Sequence, residues 1–447
     1  MNVIRIFIFF CLFTATPVAY AQETLTLEEA IDLALTNNQE ITIQRKQTDI
    51  VRNNVYRGNA GLLPTISLIG NGSYSSGNTE VTLRTFAQSP EAPSQITVDE
   101  DNVVTEQASA VVQADYVIFA GFSGQYRYRL LEHSATISRY QQEILVNNTV
   151  LSVAELFLEI AKLQRREELL RETIEISEER LAKVNDQFAF GKATGLDILR
   201  AETNLDQDQT ALDNVSLAKN NLLKDLNFLI GQPAESNYTV TAVYQLPDVV
   251  SLDSLKQQVL QSNPERKLQA ESLMAAQDQR KLTQANRYPQ LRAFANYGYQ
   301  WQRNDVQQLA ELQNVGYTAG VSLRYNLYRG GQTRRNLQND QLAIEAEEVR
   351  LQQVRERLVN QAIKEYSTLE YLQTQLAREE KNLDTFTESF CRMQERYYNG
   401  KATSLDIRDT QMALLNANIT VSDIQAEIIQ SFMRLENLRG GLFTTEH

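Results

Sequence analysis

Four segments of the chain alternate between apolar and polar residues with a period of two. In the clearest of them, Leu291 and Tyr297 fall on one face, while Asn296 and Gln300 fall on the other. A period of two is the pattern of a β-strand that buries only one of its faces. The alternation predicts strands at residues about 65–75, 109–119, 290–302 and 316–328.

Two much longer segments repeat apolar residues every seven positions instead. In the first, Leu130, Ile137, Ile144 and Leu151 follow this spacing, and the second advances in steps of three and four. A sustained seven-residue repeat predicts long helices that supercoil against neighbouring helices. The second segment, Gln332–Tyr398, would be about 100 Å long at about 1.5 Å per residue. We therefore expect these helices to project far beyond the strands.

Glycine and proline are scarce, with 18 and 8 residues in a chain of 447, and their positions divide the long segments. Proline is absent from both helical segments. Glycine occurs near the middle of each, at Gly191 and Gly195 in the first and at Gly400 in the second. A glycine there favours reversal of the backbone at a helix end. We therefore predict two helical hairpins, with turns at 191–196 and 400–405.

The two halves of the chain follow the same pattern. A constant offset relates Asn38 to Asn263, and a second constant offset relates the Gly-Lys-Ala-Thr sequences that begin at Gly191 and Gly400. Where the offset changes, the first half carries a polar insertion with two prolines, which predicts a loop at about 84–106. Such self-similarity indicates structural repeats. We place them at residues 22–240 and 241–447.

The first 21 residues have the composition of a secretory signal peptide. Arg5 precedes an apolar run from Ile6 to Phe13, and an Ala-Tyr-Ala sequence supplies the small residues of a cleavage site. No later stretch offers about 18 consecutive apolar residues, so we expect no transmembrane helix. A transmembrane β-barrel is still compatible with the sequence.

The alternating strands fit either of two environments. The wall of a membrane barrel alternates between lipid and water, and a soluble sheet packed on a helix alternates in a similar way. The signal peptide and the length of the strands favour the membrane. Four strands cannot close a barrel, and an open sheet edge in lipid leaves backbone groups unpaired. A membrane location would therefore require several chains to associate.

Charge and reactive side chains argue against several classes of function. The formal net charge is −13, which is the wrong sign for a general nucleic-acid-binding protein. Two cysteines cannot form a disulfide framework, and two histidines argue against a histidine-based metal or acid–base site. We expect no cofactor and no catalytic site. We expect Cys391 to be a buried or half-buried helix residue.

Several short sequences, taken in order, carry a family resemblance. Leu27-Glu-Glu-Ala-Ile-Asp-Leu-Ala-Leu opens the mature chain, and a proline precedes the first strand of each half. The turns are the strongest feature, because they are both duplicated and correctly spaced. The chain resembles the outer-membrane efflux proteins of the TolC type over essentially all of its mature length. The sequences that carry the resemblance are Leu63-Pro64, Phe119-Ala-Gly, Phe190-Gly-Lys-Ala-Thr-Gly-Leu-Asp, Tyr288-Pro289, Tyr328-Arg-Gly-Gly and Asn399-Gly-Lys-Ala-Thr-Ser-Leu-Asp.

This resemblance implies a mainly α-helical protein with a transmembrane β-barrel. A homotrimer would share one twelve-stranded barrel in outer-membrane lipid, with four strands from each protomer, and its helices would form a tunnel across the periplasm. The implied role is a passive exit duct of a tripartite efflux or secretion system, whose partners are a periplasmic adaptor and an inner-membrane pump. A secreted or surface coiled-coil scaffold or adhesin without channel activity is the alternative, and cell fractionation separates the two.

The resemblance assigns a partner contact to both turns. They correspond to the surfaces on which the hairpins of the adaptor dock. Thr194 is a candidate helix cap in the first turn, and Thr403 or Ser404 is the candidate in the second. A simple helix reversal with no partner is the alternative. The expected contact residues are Gly191, Lys192, Ala193, Thr194, Gly195 and Leu196 in the first turn, and Gly400, Lys401, Ala402, Thr403, Ser404 and Leu405 in the second.

Three aspartates that follow the turns match acidic positions of the family near the closed entrance of the tunnel. They are Asp197, Asp406 and Asp409. Threefold symmetry would convert each into a ring of carboxylates that favours cations. The alternative is that all three are ordinary solvated residues.

One position of the family's gate is altered in this chain. Tyr397 matches the gate tyrosine, but Ala402 stands where the family has the gate arginine. Lys401 and Arg408 are the candidates for the missing cation. The resemblance therefore leaves open how the gate is locked.

Overall fold

The computed structural model describes residues 23–84, 95–241, 251–305 and 310–441. The signal peptide predicted at residues 1–21 lies outside these ranges. The fold is mainly helical. The helices are α1 (Leu27–Asn37), α2 (Gln39–Asn53), α3 (Ser123–Ala189), α4 (Gly195–Ile230), α5 (Leu252–Ser262), α6 (Pro264–Ala285), α7 (Gln332–Tyr398) and α8 (Ser404–Arg439). The strands are β1 (Glu23–Leu25), β2 (Thr65–Arg84), β3 (Gln95–Ala120), β4 (Tyr238–Val240), β5 (Gln290–Asn304) and β6 (Glu311–Arg324).

The chain divides into two compact units, and each draws on both halves of the sequence. The first comprises the described parts of Met1–Ile43, Glu143–Asn263 and Arg357–His447. The second comprises the described parts of Gln44–Gln142 and Pro264–Glu356. The first unit therefore contains both hairpin turns, and the second contains the long strands.

The sheet of the second unit is antiparallel and has the strand order β2-β3-β5-β6. Successive side chains along a strand point to opposite faces, so the ladders align whole rows of residues on each face. One face presents exposed apolar rows and the other presents polar rows. An apolar row consists of Leu68, Val112, Tyr297 and Tyr317, and the adjacent polar row consists of Ser67, Gln113, Asn296 and Thr318.

The two strands of the first half are longer than the sequence predicts. β2 continues to Arg84 and β3 begins at Gln95, so the predicted loop at 84–106 is wrong over the whole part that the structure describes. The register of the ladder shifts near Gly77, and Asn102 has a φ of 58°. The loop prediction rested on the polar composition of this stretch and its two prolines, whereas pairing across the ladder keeps the described part extended despite these irregular positions. Residues 85–94 lie outside the described ranges.

Strand β6 lies earlier in the chain than the sequence predicts, over Glu311–Arg324 and not over residues 316–328. It ends at Arg324, short of the predicted residue 328. In the ladder, Arg324 pairs with Gln290, the first residue of β5. The preceding residue is Pro289, which has no amide hydrogen to donate to a further pair. The end of one strand therefore fixes the end of the other.

The apolar core of the first unit lies where the short helix α1 meets α3 and α4. Phe157 and Ile160 of α3 and Leu226 of α4 are almost fully buried there. Ala30 and Ala34 of α1 are completely buried in the same cluster. Their small side chains let α1 approach the two longer helices closely, and this contact positions the base of the first hairpin.

Asn38 and Asn263 make matching contacts in the two halves. The Asn38 Nδ2 donates to the carbonyl of Leu229 near the end of α4, at 2.8 Å. The Asn263 Nδ2 donates to the carbonyl of Leu438 near the end of α8, at 2.9 Å. Both amides satisfy a carbonyl that has no partner within its own helix.

Helix α3 contains a stretch that is long and apolar enough to cross a membrane, which the sequence analysis did not expect. Of that stretch, 56% is buried within the protein. Val150, Val153 and Phe157 of the same helix belong to the apolar core of the first unit. Packing against neighbouring helices therefore accounts for the apolar character of this stretch.

The prediction that Cys391 is buried or half-buried is wrong, because its side chain is exposed on α7. The adjacent Phe390 is buried instead and packs with Tyr397, one heptad further along. The seven-residue repeat thus places Phe390 on the inward face of the helix and turns Cys391 outward.

Candidate functional site at the helical turns

Both helical turns in the first unit reverse the chain through the same backbone motif. Gly191 and Gly400 have φ values of 71° and 70°. In the first turn the Gly191 amide donates to the Phe188 carbonyl at 2.9 Å, and the Lys192 amide donates to the Gln187 carbonyl at 2.8 Å. The second turn repeats this pair of hydrogen bonds. This is a Schellman motif, which needs a left-handed residue at the position of the glycine. Nothing surrounds either glycine closely, so the backbone angle and not the available space requires glycine.

A capping box starts the helix that follows each turn. The Thr403 Oγ1 accepts from the Asp406 amide at 3.2 Å, and the Asp406 carboxylate accepts from the Thr403 amide at 2.8 Å. Thr194 and Asp197 form the same reciprocal pair at the start of α4. Ser404 is the first residue of α8 and not its cap. The two caps are therefore Thr194 and Thr403.

Two of the predicted gate aspartates, Asp197 and Asp406, belong to the capping boxes. Hydrogen bonds from the backbone and then the side chain of Thr403 lower the pKa of the Asp406 carboxyl. Those from the side chain and then the backbone of Thr194 lower the pKa of Asp197 in the same way. Both carboxylates are negatively charged at neutral pH; Asp406 is exposed and Asp197 is half-buried. Asp409 is also exposed, one helical turn beyond Asp406.

We expect Asp406→Asn to loosen the first turn of α8 in a pH-dependent way. The lowered pKa means that the ionised carboxylate stabilises the folded turn above the ordinary pKa of an aspartate, and that this stabilisation is lost as the pH falls through the lowered value. Amide hydrogen exchange of residues 404–407 should be faster in the variant than in the unaltered protein at pH 7. The difference should shrink at acidic pH. Asp409→Asn, on the same helix but outside the cap, is the control, and equal protection at pH 7 in the Asp406 variant would contradict the assignment.

Apolar side chains project from both turns. Phe190 is 80% exposed, Leu405 is 61% exposed and Leu196 is 55% exposed. The two leucines are among the contact residues predicted from the sequence, but Phe190 is not. The position of Phe190 directly before the turn glycine could have indicated its exposure, because a residue at the end of a helix has few neighbours to pack against. Exposed apolar side chains at the end of a hairpin are typical of a surface that a partner covers.

Tyr397 lies in an apolar cluster and not on the surface. It is 2% exposed and packs with Phe390 and Ile407, and Ala402 lies against the same cluster. Burial raises the pKa of its hydroxyl. The Nζ of Lys183 lies over its ring, 4.8 Å from the centroid. Sequence analysis did not select this lysine.

Lys183 bridges α3 and the end of α7. Its Nζ lies 4.2 Å from the centroid of the Tyr398 ring and donates to the Tyr398 carbonyl at 3.3 Å. The Tyr398 hydroxyl in turn donates to the Glu179 carboxylate at 3.1 Å. Contacts of an ammonium with aromatic faces are attractive. Lys183 therefore ties the two hairpins together directly beside the turn.

A second link between the hairpins is a buried network of charged and polar groups. Arg408 of α8 donates to both carboxylate oxygens of Asp208 on α4, each at 2.7 Å. The Ser177 hydroxyl of α3 donates to the same carboxylate at 2.8 Å. Asp208 is 3% exposed and Arg408 is 8% exposed. Three helices from the two hairpins therefore meet at one bidentate ion pair.

A second arginine extends the network. Arg180 of α3 is 2% exposed and donates to the Gln411 Oε1 at 2.9 Å, while the Gln411 Nε2 donates to the Thr173 carbonyl at 2.9 Å. Burial, and then the neighbouring Arg408, lower the pKa of Arg180 to about 10. It remains charged at neutral pH. Asp208 pairs directly with Arg408 and acts on Arg180 only through its charge.

The sequence carried a signal for this network. Leu163, Leu170 and Val184 follow a seven-residue spacing that Ser177 interrupts. A polar residue at an inward heptad position is costly unless it finds a partner, and such positions often fix register. Ser177 marks the point where the packing changes from apolar to polar. The pairing of Asp208 with Arg408, and the place of Arg180 beside them, could not be inferred without the three-dimensional structure.

Comparison with known proteins identifies the family. Residues 30–232 and 255–441 match the family described as outer membrane efflux protein. A curated relative, the pyoverdine export outer membrane protein OpmQ of Pseudomonas aeruginosa, is 21% identical over 348 residues, which cover 76% of this chain and 71% of the relative.

Solved structures share the fold at low sequence identity. The CmeC outer membrane channel of Campylobacter jejuni gives a TM-score of 0.78 at 16% identity and covers 94% of this chain and 87% of its own. The outer membrane protein VceC of Vibrio cholerae gives 0.73 at 15% identity, over 94% of this chain and 97% of its own. The open state of the MtrE outer membrane channel of Neisseria gonorrhoeae gives 0.73 at 14% identity, over 93% and 89%. The chain belongs to the outer membrane efflux protein family, and its location is the outer membrane.

Proposed function

We propose that the protein is a passive exit duct formed by a homotrimer whose three sheets close one twelve-stranded barrel. The exposed apolar rows of the sheet carry this proposal, because a barrel wall needs an apolar face toward lipid and a polar face toward water. β2 and β6 are the outer strands of the sheet. Pairing of β2 with β6 of the next protomer would satisfy both edges. We also infer that residues 22–240 and 241–447 are two copies of one unit, so that the trimer presents six similar hairpins.

The helical turns are the proposed contact with a periplasmic adaptor, which joins the duct to an inner-membrane pump. Phe190, Leu196 and Leu405 supply exposed apolar side chains, and Lys192 and Lys401 add charge at their rim. An apolar centre with a polar rim is the usual composition of a protein interface. The pump, as the energised component, would select the cargo.

The gate is proposed to close where the hairpins are tied together. The family's arginine position is held by Ala402, which packs in the Tyr397 cluster. Lys183 is the cation beside the ring of Tyr397. Arg408 is a second cation, which links α8 to α4 through its ion pair with Asp208. Of the two candidates from the sequence, Arg408 is held in a buried interhelical ion pair, which favours it over Lys401 as part of the lock.

We expect Asp406 and Asp409 to control ion selectivity at the entrance. Threefold symmetry would give two stacked rings of exposed carboxylates. The double variant Asp406→Ala and Asp409→Ala should lower the preference for potassium over chloride, measured as the reversal potential in a planar bilayer under a salt gradient. Asp213→Ala on α4 is a control for the loss of an acidic residue elsewhere on a hairpin. An unchanged reversal potential in the double variant would show that Asp406 and Asp409 do not control ion selectivity.

Cell fractionation and mass measurement test the proposed assembly. The duct should be found in the outer-membrane fraction, should need detergent for extraction and should have the mass of three chains. A chain that is soluble without detergent would instead support the coiled-coil scaffold or adhesin. The outer-membrane location of the family favours the duct.

A further inference from the structure

A polar cavity of about 540 Å³ lies in the second unit, where the long strands meet the long helices. Its wall includes Ala120 at the end of β3, Gln290 at the start of β5 and Arg324 at the end of β6. The ladders align these three residues in one row across the sheet. The volume is within the range of about 300–1,000 Å³ that is usual for ligand sites.

The register of the sheet determines which side this row faces. Side chains that are an even number of positions apart along a strand share a face. Arg324 therefore lies on the same face as Thr318, and Gln290 lies on the same face as Asn296. Thr318 and Asn296 belong to the polar row of the sheet. In the proposed duct this face turns to water, so the row that ends in Arg324 borders the water-filled path and not the lipid.

Three arginines in the wall of the cavity form no ion pair within the described part of the chain. Arg127 donates to the Ser123 hydroxyl at 3.2 Å. When the Asn326 amide is oriented so that its polar atoms are satisfied, its oxygen accepts from the Arg329 Nε at 3.1 Å. Both of these partners are neutral. The third arginine is Arg324, which is exposed.

The charges next to the cavity leave a positive balance. Of the described residues that line it, three are basic and none is acidic. Asp278 lies beside the wall, and its carboxylate pairs with Arg129 at 3.3 Å and with Lys281 at 2.8 Å. It therefore comes with two cations of its own. Asp340 lies one helical turn beyond the wall residue Asn336 on α7 and adds one negative charge.

Two helix ends add to the positive potential. α3 begins at Ser123, which lines the cavity, and α7 begins at Gln332, one turn before the wall residue Asn336. The first turn of a helix carries a partial positive charge, which acidic residues in that turn offset. Neither helix has an acidic residue in its first turn. The amides and the dipole at such an end favour an anion.

We propose that this cavity binds a multivalent oxyanion, presented by the carboxylate or phosphate groups of cargo that passes through the duct. The proposal rests on the proposed function, because it places the polar face of the sheet along a water-filled path. Arg127, Arg324 and Arg329 donate paired hydrogen bonds to the oxyanion, which a guanidinium group matches in geometry. Threefold symmetry places three such cavities around the path. Anionic cargo is held where the helices meet the strands, and neutral cargo is not.

Isothermal titration calorimetry of the purified full-length protein in detergent tests this proposal, with citrate as the probe. The unaltered protein should bind citrate. Arg127→Gln, Arg324→Gln and Arg329→Gln together should weaken this binding roughly a hundredfold. Lysine at the same three positions should weaken it less, because the charge is kept while the paired hydrogen bonds are lost.

The control variant has the same change of net charge in the same unit. It replaces Arg139, Arg350 and Arg355, which are exposed and lie outside the cavity, by glutamine. It should bind citrate as the unaltered protein does. Equal citrate binding by the unaltered protein and by the glutamine variant of the cavity would overturn the proposal.

Two further anions define the chemistry of the ligand. Tripolyphosphate that binds at the same arginines would extend the site to phosphate, whereas citrate binding alone would assign it to carboxylates. Both results support an oxyanion site. Chloride cannot accept the paired hydrogen bonds, so chloride that displaces citrate as well as tripolyphosphate does, at equal ionic strength, would overturn the proposal.

Currents in a planar bilayer separate this proposal from the proposed function. Citrate added to either side should reduce the current of the unaltered duct and of the control variant, but not that of the glutamine variant of the cavity. A duct that conducts and binds citrate without any such reduction would place the site away from the water-filled path and overturn the proposal alone. If the glutamine variant falls apart into single chains, the arginines pair with a neighbouring protomer and the anion site is wrong. An unaltered protein that neither assembles nor conducts would remove the duct itself.

Discussion

Asp208→Ala should open the resting duct and destabilise the hairpins together. The Asp208 carboxylate accepts two hydrogen bonds from Arg408, and its negative charge also stabilises the charged form of Arg180. Its removal leaves two buried guanidinium groups without a counter-charge. Breaking a buried ion pair by deleting one partner costs about 3–5 kcal/mol. Because the network joins α3, α4 and α8, this cost falls on the contact between the two hairpins. We expect a higher resting conductance in a planar bilayer and a lower melting temperature of the helical circular dichroism signal.

Two further variants make this expectation specific. Asp206→Ala removes an exposed aspartate from the same helix and should change neither the conductance nor the melting temperature. Removal of both partners, by Asp208→Leu with Arg408→Met, replaces the ion pair by apolar side chains. It should recover much of the lost stability, because such exchanges are often neutral. A closed, equally stable Asp208→Ala protein would show that the network does not hold the hairpins.

Serine at Phe190, Leu196 and Leu405 should abolish assembly with the adaptor while leaving the channel intact. All three side chains are exposed at the turns, so their replacement should change the folding free energy by no more than about 0.5 kcal/mol each. Buried apolar anchors at an interface contribute about 2 kcal/mol or more each. Loss of three should weaken binding to the cognate adaptor by more than about a hundredfold, as measured by biolayer interferometry. Export in cells should fall to the level of a strain without the duct.

The control for this triple variant is Leu217→Ser, which removes an exposed leucine from α4 away from the turn. It should leave both adaptor binding and export unchanged. The mass of the purified assembly should be measured for every variant, so that a loss of binding is not confused with a loss of assembly. Full adaptor binding by the triple variant would place the contact elsewhere on the hairpins.

The regular elements of the fold were predictable from the sequence because each follows a simple period. The helix Gln332–Tyr398 has the bounds that the heptad pattern indicates, since neither glycine nor proline interrupts it. The strands were harder to delimit. The extension of β3 back to Gln95 passes through Asn102, which has a left-handed backbone, and pairing across the ladder stabilises a segment whose own residues do not alternate cleanly. The end of β6 depended on Pro289, which directly precedes its partner strand β5.

The site was predictable where a single residue determines the local geometry. Glycine at 191 and 400 and threonine at 194 and 403 specify their turns through backbone angles and caps. The contacts across helices were not predictable. Lys183 reaches Tyr397 from a distant part of the sequence, and Asp208 reaches Arg408 in the same way. Such pairs depend on how the helices are rotated against one another, which the heptad pattern leaves undetermined within one turn.

Conductance of the purified, unaltered protein in a planar lipid bilayer is the direct test of whether the chains form a water-filled duct. If three chains close one barrel around a water-filled path, the bilayer current should rise in discrete steps of uniform size. The assembly that produces them should have the mass of a trimer, and the current should favour cations. The proposed duct would be contradicted if the trimer were inserted in the bilayer and gave no current steps. The Asp208→Ala variant, in which the hairpins are released, would have to give none either.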